Sequence, residues 1–263
     1  MRHSKKASNC YTSLDQSRSL FDSGFPILTY HKLGPHPWRV RLKGLYVSTR
    51  LFDRQLAELH SAGFATANLL PCNEAHLPKP KQIALTFDDG YRNVWQYGLE
   101  PLRKYGFHAI QYLVSDRIGQ TNDWDVRVGE ASEPLMNEFE IREWLAAGHE
   151  IGSHTLTHPY LTQLPPDMAR AEIRDSKKRL EDTFGVAIRH FCYPYGDWNL
   201  AVRDIAIEAG YATAVTTDFG VNTTSNSPFE LKRVTARYPS RSWPSLFGAL
   251  QSLFKTRRGK ELD

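Results

Sequence analysis

The chain has 263 residues, 41% apolar and 24% charged, the proportions of a folded globular protein rather than a disordered one. Its net charge of +4 is largely supplied by the two ends, MRHSKKASNC and KTRRGK, so there is no domain-wide basic stripe of the kind nucleic-acid binding needs. Cys10, Cys72 and Cys192 form an odd set without CxxC spacing, which argues against a disulfide framework or a thiolate zinc site, and no apolar run is long enough to cross a bilayer.

Residues 1–24 are polar and basic and lack the apolar core of a secretory signal; they read as a flexible extension, and the expected compartment is the cytoplasm. PILTYH (26–31) is the first strand. TRLFDRQLAELHSAG follows as a helix, with Leu51, Phe52, Leu56 and Leu59 at helical spacing and Gly63 closing it. Next come the strands FATANL and QIALTFD (82–88), then a helix from about Val94 to Tyr105 that ends at Gly106. HAIQYLV (108–114) leads into a long loop (115–137), the helix FEIREWLAAG and the strand HEIGSHT (149–155).

The longest helix spans Pro166 to Phe184, with prolines at its start and Gly185 at its end. HFCYPYG (190–196), the helix LAVRDIAIEAG, YATAVTT (211–217) and LKRV (231–234) complete the alternation, and a last helix is expected from Pro244. Strands alternating with helices imply a parallel sheet. Seven or eight such units argue for an α/β fold of the parallel barrel type, with an open doubly wound sheet as the alternative. The expected organisation is a catalytic barrel over 25–240 and a C-terminal amphipathic helix with a basic tail over 241–263. In that tail Leu246, Phe247, Leu250, Leu253 and Phe254 form an apolar stripe followed by basic residues. It either packs on the barrel or makes a peripheral contact with anionic lipid at the inner face of a membrane. The loop over 115–137 is too long for a connector and is a candidate substrate wall.

In a parallel barrel, catalytic groups sit where strands end and loops begin. Asp88 and Asp89 end the strand IALTF, and His154 and His158 end another in SHTLTH. Two imidazoles four residues apart can share a face over one helical turn and chelate a metal. A dication beside Asp89 would absorb its charge and leave Asp88 ionised next to it as a base. Asp89, His154 and His158 would leave coordination positions open for water and substrate, as a hydrolytic metal site requires.

TFDDG, then SHTLTH, then YPYG, in that order, resembles the polysaccharide deacetylases, the carbohydrate esterases of family four. The resemblance runs from ILTYHKLG to LKRV. It implies a distorted (β/α) barrel and metal-dependent removal of an N-acyl group from an amino sugar, with zinc the usual ion. Asp88 then resembles the catalytic base, and Asp89, His154 and His158 the metal ligands. Tyr195 resembles the residue whose backbone N–H helps hold the oxyanion. Two positions depart from the family pattern. The histidine on a late strand that usually donates the proton is missing, since none follows His190. The donor is then Asp88 itself, once protonated, or His31 at the end of the first strand. The arginine that usually pairs with the base is replaced by Cys192, and Arg233 is either its substitute or a surface ion-pair partner.

The expected function is a metal-dependent hydrolase removing N-acetyl from an amino sugar in a glycan or glycan precursor, with an N-acetylated carbohydrate as its partner. The alternatives are an N-deformylase or other amidase using the same site, and a catalytically weak glycan-binding homologue. Tyr195, Trp198 and Trp124 suit sugar stacking.

Overall fold

The structure, a computed structural model, describes residues 10–38, 40, 42–69, 80–126 and 129–237. Its strands in chain order are β1 (Ile27–Tyr30), β2 (Lys32–Leu33), β3 (Tyr46–Val47), β4 (Ala65–Thr66), β5 (Gln82–Phe87), β6 (Ile110–Leu113), β7 (Glu150–Ser153), β8 (His190–Cys192), β9 (Thr213–Phe219) and β10 (Leu231–Thr235). The helices are α1 (Leu14–Phe21), α2 (Thr49–Ser61), α3 (Arg92–Tyr105), α4 (Asp123–Val126), α5 (Glu138–Ala146), α6 (Pro166–Phe184) and α7 (Leu200–Glu208).

Among the described residues, β1, β5, β6, β7, β8, β9 and β10 close into a ring because β1 pairs with both β10 and β5, and every pairing is parallel. This is a seven-stranded (β/α) barrel. β4 attaches to the first residues of β5, and β2 and β3 form a separate two-stranded sheet. The ring is distorted where β7 and β8 share only the pair Ser153 and Phe191, and where the β9–β10 register shifts between Leu231 and Arg233. The strands are buried on both faces, as a parallel barrel wrapped in helices demands: β1, β6 and β8 are buried at every position.

The helices form where the apolar spacing puts them. On α2 the buried face is Leu51, Phe52, Gln55, Leu56 and Leu59, and Ser48 caps the start by accepting from the Leu51 amide at 3.2 Å. On α6 it is Ala169, Ile173, Ser176, Leu180 and Phe184. Residues 10–24 depart from the flexible extension expected of them. Tyr11 bridges in parallel to Ala236 just past β10, its amide donating to Thr235 O at 2.8 Å, and α1 buries Leu14 and Phe21, with its first amide held by Glu58 of α2 at 2.9 Å. Three apolar side chains spaced through a polar segment are enough to anchor it. Residues 1–9, Cys72 and the expected C-terminal helix lie outside the described residues.

Candidate active site

Register brings the site residues together. Tyr30 on β1 pairs with Phe87 on β5, so the next residue on each strand, His31 and Asp88, emerge side by side at the mouth. Likewise Leu113 pairs with Ser153 and Ser153 with Phe191, which places His154 next to Cys192 at the same level.

Asp88 is buried and gripped at both oxygens by Arg233, with Nη1 to Oδ1 at 2.7 Å and Nη2 to Oδ2 at 2.8 Å. Arg233 rises from β10 into the barrel interior, where it is 3% exposed. It also donates to Thr216 O at 2.8 Å, Thr86 Oγ1 at 3.2 Å and Cys192 Sγ at 3.3 Å. The alternative of a surface ion pair is thereby overturned: the guanidinium is fully desolvated and its fork matches the carboxylate. Burial pushes the Asp88 carboxyl up, but Arg233, together with His31 and His154, holds the group below its ordinary range. The Cys192 thiol is pushed up by burial, so it stays protonated at neutral pH and is no competing anion. His31, half-buried, places Nε2 3.7 Å from Asp88 Oδ2.

Asp89 turns the other way. It has φ +73°, and Gly90 follows at φ +84°, where an added Cβ would lie 3.1 Å from Leu113. Two consecutive left-handed residues reverse the chain straight after the strand and aim Asp89 at the histidines. One oxygen of Asp89, Oδ1, lies 3.3 Å from Nε2 of both His154 and His158. His154 donates through Nδ1 to the Cys192 carbonyl at 2.8 Å, so Nε2 is the atom that faces Asp89, as an N–H when the ring is charged and as a lone pair when it is neutral. Two acceptors facing each other at that distance require a proton or a cation between them. Asp89, His154 and His158 bring their ligand atoms within 4.8 Å of one another, all buried. This donor set fits a divalent cation bound by two nitrogens and an oxygen. Asp88, His154 and Cys192 also approach within 4.8 Å, but Asp88 is spent on Arg233 and Cys192 is a thiol.

The two histidines are not on a helical turn, which corrects the expectation from their spacing. They flank a loop in which Thr155 (φ +69°) and His158 (φ +65°) are both left-handed. His158 Nδ1 is buried without a hydrogen-bond partner among the described residues. Aromatic rings hold it instead, Trp124 stacked at 4.6 Å and Tyr195 edge-on at 4.5 Å. Trp124, read from the sequence as a sugar platform, is 8% exposed and spent on this contact. Tyr195, in the turn after β8 with φ +58°, stacks on Tyr160 at 4.0 Å, and Trp198 stacks on Tyr193 at 6.0 Å.

The described residues of the loop over 115–137 are tied down by hydrogen bonds at both ends. Met136 donates to Gly90 O at 2.8 Å and Arg92 to Pro134 O at 3.0 Å, which ties it to the Asp88–Asp89 turn. Asp125 accepts from Tyr91 OH at 2.9 Å and Asn122 Nδ2 at 3.0 Å. Lys32, 1% exposed, lies 3.6 Å from the same oxygen and over the Tyr91 ring at 4.4 Å. This buried pair, whose Asp125 is adjacent in the chain to Trp124, escaped the sequence reading. The only signal was a lysine directly after a strand-end histidine. An open groove of about 620 Å³ lies beside the mouth, lined by Asp116, Asn137, Phe139 and Arg179 and by none of the residues read as catalytic.

A model of the family described as Polysaccharide deacetylase matches residues 76–214. YxkH of Bacillus subtilis (strain 168), provisionally named a polysaccharide deacetylase, is 30% identical over 231 residues, 85% of this chain and 75% of that protein. A Bacillus cereus peptidoglycan-N-acetylglucosamine deacetylase is 31% identical over 159 residues, 60% of this chain and 63% of its own length. Among solved structures, the Streptococcus pyogenes deacetylase PplD superimposes with a TM-score of 0.71 at 24% identity, covering 82% of this chain and 93% of that one. That likeness concerns the fold.

Proposed function

The chain belongs to the polysaccharide deacetylase family and is a hydrolase of carbon–nitrogen bonds, and from that premise we propose that it removes the acetyl group from an N-acetylated amino sugar of a glycan or glycan precursor. The observation that carries this reading is the convergence of the Asp89–His154–His158 acceptors beside an ionised Asp88 at one barrel mouth. Asp89, His154 and His158 would hold the divalent cation, zinc on the character of the donors. Such a cation supplies Lewis acidity toward an amide carbonyl and a lowered pKa for water.

This chain's own groups do the rest. Asp88, kept ionised by Arg233, takes the proton of the attacking water. A carboxylate held so acidic returns that proton readily, so it acts as a transient acceptor. His31, one register step away, gives a proton to the amide nitrogen, which leaves only as an amine. Two groups at one mouth thus divide acceptance and delivery. The Tyr195 N–H donates to the oxyanion. N-acetylglucosamine units, the sugar in the name of the Bacillus cereus relative, are the first substrates to offer.

The test is acetate release from N-acetylated oligosaccharides of graded length, before chelation, after it, and after zinc is restored. Release that stops on chelation and returns with zinc is expected. No release with zinc, cobalt or nickel would overturn the proposal, and formate release from N-formyl sugars alone would move it to a deformylase.

A further inference from the structure

We propose that Glu172, on the barrel-facing side of α6, is a positioning residue that holds the loop between the two histidines and so sets the affinity of the site for a divalent cation. The inference rests on the metal-site reading above and adds to it the element that shapes the site.

The loop from Ser153 to His158 needs such an element. Thr155 and His158 are left-handed, a conformation that strains a non-glycine residue and persists only where the surroundings over-determine it. A relaxed loop would let one or both residues return to ordinary dihedrals and swing the His158 ring out of register with His154. Aromatic contacts alone bear on the ring of His158, not on its backbone.

Glu172 acts on the backbone. Its Oε2 accepts from the amides of Leu156 at 2.9 Å and Thr157 at 3.0 Å, and its Oε1 accepts from the Thr157 hydroxyl at 2.6 Å. Both oxygens of one carboxylate are therefore spent on the segment between the ligands, in bonds strengthened by its charge. One helical turn further along α6, buried Ser176 meets Ser153 Oγ at 2.8 Å, immediately before His154. The apolar face of α6 fixes the helix on the barrel, so both holds are rigid.

The other side of the loop is held as well. The Thr155 and Leu156 carbonyls accept from the Ser115 and Asp116 amides at 3.1 and 3.0 Å. Inside the loop, the His158 amide donates to Thr155 Oγ1 at 3.0 Å. Removing Glu172 frees two amides and a hydroxyl at once. The ordering cost then falls on cation binding, since pre-organised ligands bind more tightly than ligands that must be ordered. Loss of a group that orients metal ligands typically weakens binding about 10–100-fold.

The experiment titrates zinc against a chromophoric chelator, using the full chain stripped of metal, for wild type, Glu172→Gln, Glu172→Asp and Asp89→Asn. Glu172→Gln is expected to keep one site per chain and to bind about 10–100-fold more weakly, with Glu172→Asp between it and wild type. Thermal unfolding of the metal-free proteins accompanies it, because a purely structural role would lower Tm and leave the affinity unchanged. Glu172→Gln binding within twofold of wild type would overturn the proposal. If that variant does not fold, Thr157→Val, which removes one of the three bonds, takes its place, and unchanged affinity there would overturn it equally. Zinc binding that survives Asp89→Asn would instead bring down the metal-site reading.

Discussion

The two ends of the barrel use the same residue types to opposite effect. At the mouth, Asp88, Asp89, His154 and His158 are buried with oppositely charged or acceptor groups crowded together. Asp89, Thr155, His158 and Tyr195, four of the five described non-glycine residues with positive φ, sit there. At the other end, His108, His149, Glu150 and His190 lie where β6, β7 and β8 begin. Their backbone is ordinary and their contacts are those of a floor. His190 donates or accepts at Thr213 Oγ1 (2.8 Å), lies 3.4 Å from Glu150, and His149 packs against Trp144 at 4.2 Å. What separates a site from a floor is therefore strand direction and backbone strain, not the presence of histidines and carboxylates.

The largest effect expected from breaking this contrast lies in activity. His31→Ala and Asp88→Asn should each lower kcat by about 10²–10⁴-fold, whereas His190→Gln at the floor should leave kcat within a few-fold. Steady-state acetate release reads all three. A floor variant as damaging as the mouth variants would erase the distinction.

Next in size is the buried charge pair. Arg233→Met removes the two-pronged partner of buried Asp88, a loss of about 3–5 kcal/mol, or a fall in Tm on the order of 10 °C. Differential scanning calorimetry measures it, and a stability equal to wild type would mean that Arg233 is not the partner described.

The smallest effect sharpens the other end. Burial, together with neighbouring His108, pushes the His149 imidazole down to about 4. The unfolded chain takes up that proton near the ordinary histidine pKa of about 6.5, and the folded chain does so only near 4. Stability should accordingly decline as pH falls through that window. In His149→Phe the pH slope of urea denaturation should flatten there, with activity at neutral pH unaltered.

Much of this was legible in the sequence because the barrel turns strand ends into a site. TFDDG closes an apolar run and SHTLTH closes the short strand HEIGSHT, so the alternation of strands and helices assigns Asp88, Asp89, His154 and His158 to one mouth. His31 was legible for the same reason. Arg233 was only half legible, since LKRV shows an arginine on a strand but not which face it takes. The register shift between Leu231 and Arg233, seen only in the folded sheet, interrupts the simple alternation there. The roles of Lys32 and Glu172, and the packing of Trp124 on His158 in place of a sugar, were beyond reach because each acts across the chain, on partners 93, 15 or 16, and 34 residues away, and no local period records such pairings. The anchoring of residues 10–24 was missed because three apolar side chains in a polar segment look like noise until a surface exists to receive them.

The most direct measurement is calorimetric titration of zinc into the metal-free chain, comparing wild type with Asp89→Asn at the mouth and His190→Gln at the floor. One zinc per chain in wild type and in His190→Gln, with binding abolished or weakened by at least about 100-fold in Asp89→Asn, is the expected result. Equal binding by Asp89→Asn and wild type would contradict it.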